Sequence, residues 1–220
     1  MQPATRQVEA PGKRRTQSER REISAGRMLD AALEIVARSG PARMTLAEVG
    51  IAAGYSRGLA AQRFGNKAGL MRALAAHIGE RFHEQREAAP MRRPGLDAIR
   101  GAIGVYFGRG DANWTSTRAL LAMMAEGLMQ DPEPEPGDAA SRENVMAYNR
   151  ASLAFFEQHL RIGIDANELP SDIEPRATAV ILLGALRGVM LQALSDDEID
   201  LKRVRDRLLA MVDQLAVKHV

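Results

Sequence analysis

A serine flanked by glycines at Gly54-Tyr55-Ser56-Arg57-Gly58 has the G-x-S-x-G spacing of a serine hydrolase nucleophile. That chemistry needs a strand leading into the serine, and a histidine and an acid that activate its hydroxyl. The residues before Gly54 instead have helical periodicity, and no segment of the chain shows the sustained alternation of a strand. A turn suits the residues better, because glycine bends the chain and serine caps the next helix. A serine hydrolase using Ser56 stays open as an alternative, but we expect no enzyme.

The segment after this turn carries side chains suited to reading DNA bases. Arg57 opens a short predicted helix, where a guanidinium can donate two hydrogen bonds to guanine. Gln62 can pair with adenine or with phosphate, and Gly58 permits close approach of the backbone. A recognition helix is therefore the favoured interpretation of this segment.

Three further side chains around the same segment are suited to phosphate. Arg63 and Lys67 flank the short helix, and Thr45 can present its hydroxyl and a helix N-terminus. Residues 1–75 hold 13 Lys or Arg against 6 Asp or Glu, whereas residues 76–220 hold 17 against 22. A basic first third on an acidic remainder indicates that one module meets a polyanion. A helical interaction protein that binds acidic partners without reading sequence is the second open alternative.

Predicted helices hold these side chains in place. Thr16 and Glu19 match the S/T-x-x-E capping box, and Gly40-Pro41 is a stop signal. Two short helices around the turn at residues 54–56 sit between longer ones, which is the helix-turn-helix layout. Apolar periodicity predicts helices over 16–38, 46–53 and 57–64, from 67 onward, and over 95–109, 115–130, 138–165, 173–194 and 200–217. The fold class expected is all-α.

Composition excludes several other classes of protein and site. Aromatic residues are only 4% of the chain, which argues against a sandwich or barrel. The absence of cysteine excludes disulfides, cysteine-ligated zinc and a thiol nucleophile. His77 and His83 are six apart and face different sides of a helix, so we expect no metal and no cofactor. No run approaches about 18 uninterrupted apolar residues and no secretory leader is visible, so we expect no membrane span and a cytoplasmic location.

The last two predicted helices carry apolar residues at alternating intervals of three and four. Such seams build a four-helix bundle when a second copy supplies two more helices, and small neighbours favour close packing. The alternative is that both helices cover the core of their own chain. The residues expected at a dimer interface are Leu182, Leu186, Val189, Leu201, Val204, Leu208, Met211 and Leu215.

Residues 45–74, TLAEVGIAAGYSRGLAAQRFGNKAGLMRAL, resemble the tetracycline-repressor (TetR) family of bacterial regulators. The AGYSRG turn, Phe64, Lys67 and Leu70 fall where the family pattern has them, and residues 30–40 are similar to the first helix of the family. The resemblance covers about residues 25–82. It implies a homodimeric transcriptional regulator, most often a repressor, that binds operator DNA through two helix-turn-helix heads and is released by a small ligand.

The resemblance also assigns roles to residues. It gives phosphate contact to Thr45 and Lys67, and the recognition helix to Ser56, Arg57, Gly58 and Gln62. Two positions depart from the pattern. Ala61 stands where most members have a tyrosine that contacts DNA, and Arg63 stands where most have His or Tyr, so a charge-assisted phosphate contact by Arg63 is expected to compensate.

The implied organisation is a flexible basic arm at 1–15, a helix-turn-helix domain at 16–82, and a helical effector-binding and dimerisation domain at 83–220. The effector domain is expected to enclose an apolar pocket for an unidentified small apolar ligand. Its expected lining is Trp114, Leu121, Met124, Tyr148, Phe155, Phe156 and Met190.

Overall fold

A computed structural model describes residues 16–88, 90, 92–108, 114–129 and 136–216, and within these ranges the regular elements are all α-helices. The expected all-α class is therefore confirmed, while the predicted arm at 1–15 lies outside the described residues. The helices are α1 (Gln17–Ser39), α2 (Leu46–Ala52), α3 (Leu59–Phe64), α4 (Lys67–Glu87), α5 (Leu96–Phe107), α6 (Thr115–Met129), α7 (Pro136–Asp165), α8 (Pro175–Ser195) and α9 (Leu201–Asp213).

Helix starts follow local capping chemistry. The Thr16 hydroxyl accepts a hydrogen bond from the Glu19 N–H at 3.2 Å, and the Glu19 carboxylate accepts one from the Thr16 N–H at 2.7 Å. This is the predicted capping box, and each bond satisfies a backbone donor that the first turn leaves open. The Asp200 carboxylate likewise accepts from two N–H groups in the first turn of α9.

The third helix begins later than predicted. Its first residue is Leu59 rather than residue 57, and Gly58 takes the N-cap position without any side-chain cap. The Ser56 carbonyl accepts from the Leu59 N–H at 3.1 Å, so residues 56–58 form a turn instead of a helical start. Arg57 is consequently displayed from this turn.

The first hydrophobic core joins helices α1–α4, which we call the head, to α6 and α7. Met28 and Val36 from α1 pack with Leu70 and Leu74 from α4, all fully buried. The same cluster takes in Ala119, Leu120 and Met123 from α6 and Val145 from α7. The expected domain boundary at residue 82 falls inside α4, which runs without interruption to Glu87.

The second core fills the space between α5, α7, α8 and α9. It is built on buried aliphatic side chains, including Ile99, Ile103, Leu160, Leu186 and Met190. By length and composition alone α8 is apolar enough to cross a bilayer. One face of α8 packs into this core.

The start of α5 is anchored from α7 and from the segment that follows it. The Gly95 N–H donates to Nδ1 of His159 at 3.2 Å, and the Leu96 N–H donates to the Glu168 carboxylate at 2.9 Å. Gly95 has φ +98°, a conformation that glycine adopts without strain. Burial lowers the pKa of His159, because the charged imidazolium loses water. The neutral ring is the form that accepts this hydrogen bond.

Candidate DNA-binding interface and effector cavity

The turn between α2 and α3 is fixed by close backbone contact. Gly54 has φ +80°, and the Tyr55 N–H donates to the Gly50 carbonyl at 2.8 Å. A Cβ on Gly50 would lie 2.6 Å from the backbone oxygen of Ser56. Only a glycine at position 50 lets the turn lie this close to α2. This contact sets where α3 sits relative to α2.

The predicted recognition residues lie on one exposed surface. Arg57, Gly58 and Gln62 are exposed, while Leu59 is half-buried and Ala60 is fully buried. Positions 58, 61 and 62 are spaced by three and four along the chain, so they share a side of the short helix. We call the exposed residues 57, 58, 61 and 62 the α3 ridge. Ser56, also exposed, adjoins the ridge in the turn.

Two of the three predicted phosphate ligands, Thr45 and Lys67, have structural partners. Thr45 is the N-cap of α2, and its exposed hydroxyl accepts from the Glu48 N–H at 3.2 Å. That hydroxyl retains its own proton, which can be donated to a phosphate. Lys67 Nζ donates to the Ala42 carbonyl at 2.7 Å, which ties the start of α4 to the loop after α1. Its ammonium has three donors, so this bond leaves others for phosphate.

Arg63 points into the protein instead of toward the α3 ridge. Its Nη2 donates to the Ser24 hydroxyl on α1 at 3.2 Å, and its Nε is buried. The expected phosphate contact by Arg63 is therefore revised. The physical reason is packing, because Arg63 lies in the last turn of α3 on the side that faces α1.

A cavity of about 50 Å³ lies where α4, α5, α6, α7 and α8 meet. The sequence predicts three of its lining residues, namely Tyr148, Phe155 and Phe156. Phe82 of α4 packs on Tyr148 with ring centroids 5.4 Å apart, and Phe155 packs on Phe156 edge to face at 5.6 Å. The cavity is therefore bounded by aromatic rings. One of them, Phe82, belongs to α4, whose first turns pack in the head.

The other four expected pocket residues lie elsewhere. Trp114 and Leu121 are partly buried against the second core, Met124 is partly buried against the first, and Met190 is fully buried in the second. These four residues do not line this cavity, and their place in a ligand pocket stays a prediction. The lining residues that the sequence analysis missed are Phe82, Ala102, Val105, Tyr106, Leu120, Ser152, Leu183 and Arg187.

Arg187 is the missed residue with the clearest signal in the sequence. It is the one charged residue between positions 177 and 195, in an otherwise apolar helix. A charge in such a run needs a polar partner or a functional reason. In the structure its Nη1 donates to the Asn149 carboxamide oxygen on α7. The guanidinium is thereby held at the wall of the cavity.

The predicted dimer seam is largely used inside the chain. Leu182 and Leu186 are buried in the second core. Five others pack partly against that core, namely Val189, Leu201, Val204, Leu208 and Leu215. Met211 alone of the eight is well exposed. A seam of threes and fours arises equally when a helix covers its own core, so the interface formed by these eight residues stays a prediction.

A different face of α8 is apolar and open to solvent. Ile181 is 69% exposed and Leu191 is 58% exposed, and Val180 lies beside them. Gly184 and Gly188 complete the stripe at intervals of three and four, and a Cβ on either would meet no atom within 4 Å. We call residues 180, 181, 184, 188 and 191 the α8 outer face.

The hydrolase alternative lacks its structural context. Helix α2 precedes Ser56, where the nucleophile elbow requires a strand, and the described part of the chain contains no strand. His77 contacts Asp30 at 3.0 Å, and His159 accepts from the backbone of Gly95. The serine lies on an exposed turn beside the α3 ridge.

Comparison with known proteins finds a family match for part of the chain and similar solved structures for most of it. Residues 28–74, which run from α1 into α4, match the family of bacterial regulatory proteins called the tetR family. No curated protein matches the chain by sequence. Among solved structures, the fold is similar to a TetR-family transcriptional regulator from a Rhodococcus species, with TM-score 0.71 and 21% identity, over 91% of this chain and 100% of that one.

Two further structures are similar over most of their length. SmeT, the repressor of the SmeDEF multidrug efflux pump of Stenotrophomonas maltophilia, has 25% identity and TM-score 0.66, over 88% of this chain and 90% of its own. FadR from Bacillus subtilis, solved with stearoyl-CoA, has 16% identity and TM-score 0.69, over 85% and 96%. The helix-turn-helix segment therefore matches the tetR family, and the fold around it is similar to that of solved TetR-family regulators.

Proposed function

We propose that the chain represses transcription by binding operator DNA as a homodimer, and that a small ligand in the effector cavity releases it. The observation that carries the DNA part is the α3 ridge. Arg57 in the turn and Gln62 on α3 are both exposed there, and the contact at Gly50 fixes the position of that short helix. Small residues at 58 and 61 allow the backbone to approach base edges.

The positions of these side chains suit different residues to contact with bases and with phosphates. Arg57 reads bases, whereas Thr45 and Lys67 position the head on phosphates. Ser56 adjoins the ridge and supplies a hydroxyl. Since phosphate contacts supply much of the affinity, binding should weaken steeply with salt.

The test is selection of bound fragments from random duplex pools, followed by titration of the recovered site and of a scrambled site. Arg57→Ala should cost about 1–3 kcal/mol on the recovered site and relax preference at one base step. Arg118→Ala is the matched control, because Arg118 is exposed on α6, away from the ridge. An Arg57→Ala protein that keeps the wild-type ratio between the two sites would overturn the base-reading role.

Ligand response is supported by where α4 runs. Its early residues Leu70 and Leu74 pack in the first core with the head, and Phe82 lines the cavity. A ligand that displaces Phe82 therefore acts on the helix that supports α3. Release follows if the ligand binds better to a conformation whose two heads no longer match half-sites about 34 Å apart.

The α8 outer face supports self-association. Exposed Ile181 and Leu191 with two glycines between them suit close packing against the same face of a second copy. Ile181→Glu should shift the protein toward monomer in sedimentation and weaken operator binding. Met146→Glu is the matched control, since Met146 is also an exposed apolar residue, on α7. Equal dimer constants for the two variants would place the interface elsewhere.

The proposal includes no catalytic step and places the protein in the cytoplasm, where its DNA lies. A fluorophosphonate probe should leave Ser56 unlabelled, because no strand-to-helix elbow presents its hydroxyl. Covalent labelling that Ser56→Ala abolishes would contradict this part of the proposal.

A further inference from the structure

A tight turn between α1 and α2 displays Arg43 at the surface of the head. Pro41 and Met44 are buried at the two ends of this turn, and the Pro41 carbonyl accepts a hydrogen bond from the Met44 N–H at 3.2 Å. Ala42 and Arg43, which lie between them, are exposed. The hydrogen bond and the two buried ends hold in place the backbone from which the Arg43 side chain projects.

The same turn is bonded to the start of α4. Lys67 Nζ donates to the Ala42 carbonyl at 2.7 Å, and this carbonyl belongs to the peptide bond that joins residues 42 and 43. The oxygen and nitrogen of one peptide bond are about 2.2 Å apart, so the Lys67 ammonium lies within about 5 Å of the Arg43 backbone nitrogen. The fold therefore brings a second cation to the base of the Arg43 side chain.

No described carboxylate forms an ion pair with either cation. The ion pairs among the described residues involve neither Arg43 nor Lys67, and the sequence has no acidic residue between Glu34 and Glu48. Like charges that are held close together repel each other, and an anion between them turns this repulsion into attraction. The two side chains are therefore suited to an anion from outside the chain.

The position of the turn relative to the α3 ridge favours one kind of anion. Lys67 begins α4 five residues after Gln62 of the ridge, and Thr45 follows Arg43 by two residues. When a recognition helix lies in the major groove, which is about 12 Å wide, a phosphate backbone runs along each side of it. Cations beside the recognition helix therefore meet phosphates, which guanidinium binds through two parallel hydrogen bonds and ammonium binds as a point charge.

From these observations we infer that Arg43 and Lys67 together hold one phosphate of the operator backbone, so that Arg43 is a DNA contact outside the α3 ridge. This inference rests on the proposed operator binding and adds a residue to it. Because phosphates carry no base identity, Arg43 contributes equally to binding of the operator and of an unrelated duplex.

The first test measures salt dependence with the full-length protein on the recovered operator and on the scrambled site. Arg43→Met should reduce the slope of log binding constant against log salt concentration by about one on both duplexes, because one fewer phosphate is neutralised. Arg43→Lys keeps the charge and should keep the slope. Arg118→Met is the matched control, because Arg118 is exposed on α6, and it should bind as wild type. An unchanged slope for Arg43→Met would overturn the inference.

The second test locates the phosphate. Phosphates of the operator are replaced one at a time by uncharged methylphosphonate, and the wild-type, Arg43→Met and Lys67→Met proteins are titrated on each duplex. One replacement should weaken the wild-type protein about tenfold yet affect both variants much less, because each variant has already lost the contact. If the two variants couple to different positions, or if Arg43→Met couples to none, the inference is wrong.

Failure of this inference is distinguishable from failure of the proposed function. A wild-type protein that binds no duplex contradicts operator binding and this inference together. A wild-type protein that prefers its operator, with an Arg43→Met variant of unchanged slope, keeps the proposed function and removes only Arg43 from the interface.

Discussion

Replacing Gly50 by alanine tests how the head holds its recognition helix. Gly50 lies in α2, and an added Cβ would meet the Ser56 backbone oxygen at 2.6 Å and the Arg57 backbone oxygen at 3.6 Å. Real Cβ atoms essentially never come closer than 3.0 Å to such an atom, so the turn must retreat by about 0.4 Å. The obstructing Ser56 oxygen belongs to the backbone, so no side chain can rotate away to relieve the clash.

The magnitude follows from two opposed effects. Overpacking of a close contact costs about 1–3 kcal/mol, and backbone neighbours place this case toward the upper part of that range. Alanine recovers up to about 1 kcal/mol over glycine inside a helix. We therefore expect Gly50→Ala to lower the free energy of unfolding by about 1–2 kcal/mol. We also expect it to weaken operator binding, because Ser56 and Arg57 move with the turn.

Gly26→Ala is the matched control for this prediction. Gly26 lies inside α1, and a Cβ there would meet no atom within 4 Å, so alanine should raise stability by about 0.5–1 kcal/mol. Both variants share the helical gain, so the difference between their urea unfolding free energies isolates the close contact. If Gly50→Ala proves as stable as Gly26→Ala and binds the operator equally well, the contact does not hold the turn.

Three further predictions address the same head and the anchor of α5. Thr45→Asp should keep the cap of α2 and the thermal stability of the protein, yet weaken operator binding, because the carboxylate repels phosphate. Thr45→Ala should instead lower the free energy of unfolding by about 1 kcal/mol. Equal operator affinity for the Asp variant and the wild-type protein would show that Thr45 does not contact phosphate. Lys67→Met should reduce the slope of log binding constant against log salt concentration by about one. Arg63→Met should leave that slope unchanged and lower the melting temperature, because Arg63 donates a hydrogen bond to Ser24 inside the head. A reduced slope for the Arg63 variant would show that Arg63 contacts DNA. Burial lowers the pKa of His159 below its usual 6.5, so the stability that its neutral ring contributes is present above pH 6.5 and is lost as the pH falls through the lowered pKa. His159→Asn should therefore flatten the dependence of melting temperature on pH in this acid range. An unchanged dependence would show that other groups cause the loss of stability in acid.

The sequence predicts helix caps and the turn after α2 well, because these features depend on neighbouring residues. The Thr16 box, the Thr45 cap and the break at Gly54 each depend on residues within about four positions, so pattern alone locates α1, α2 and the turn. The predicted start of α3 is two residues too early, because the Ser56 carbonyl accepts a hydrogen bond in the turn and Gly58 takes the cap position.

The sequence does not predict contacts between residues that are far apart along the chain, because these contacts depend on which helices pack together. Arg63 reads as an exposed cation, but its bond to Ser24 joins residues 39 positions apart. Leu182 and Leu186 have the spacing of an interface, yet which neighbour covers that spacing is a matter of tertiary packing. The cavity draws its lining from five helices, so the sequence predicts Tyr148, Phe155 and Phe156 but misses the other eight lining residues.

The continuity of α4 has a consequence for engineering. Its 21 residues carry Leu70 and Leu74 toward the head and Phe82 toward Tyr148, so the relative rotation of the two ends is fixed by helical geometry. One residue inserted between positions 75 and 81 would rotate everything downstream by about 100°, turning Phe82 off its partner ring. Seven inserted residues would restore the facing direction but lengthen the rod by about 10 Å. Sensor chimeras built from this protein must therefore join their parts in register within this one helix, or exchange it whole.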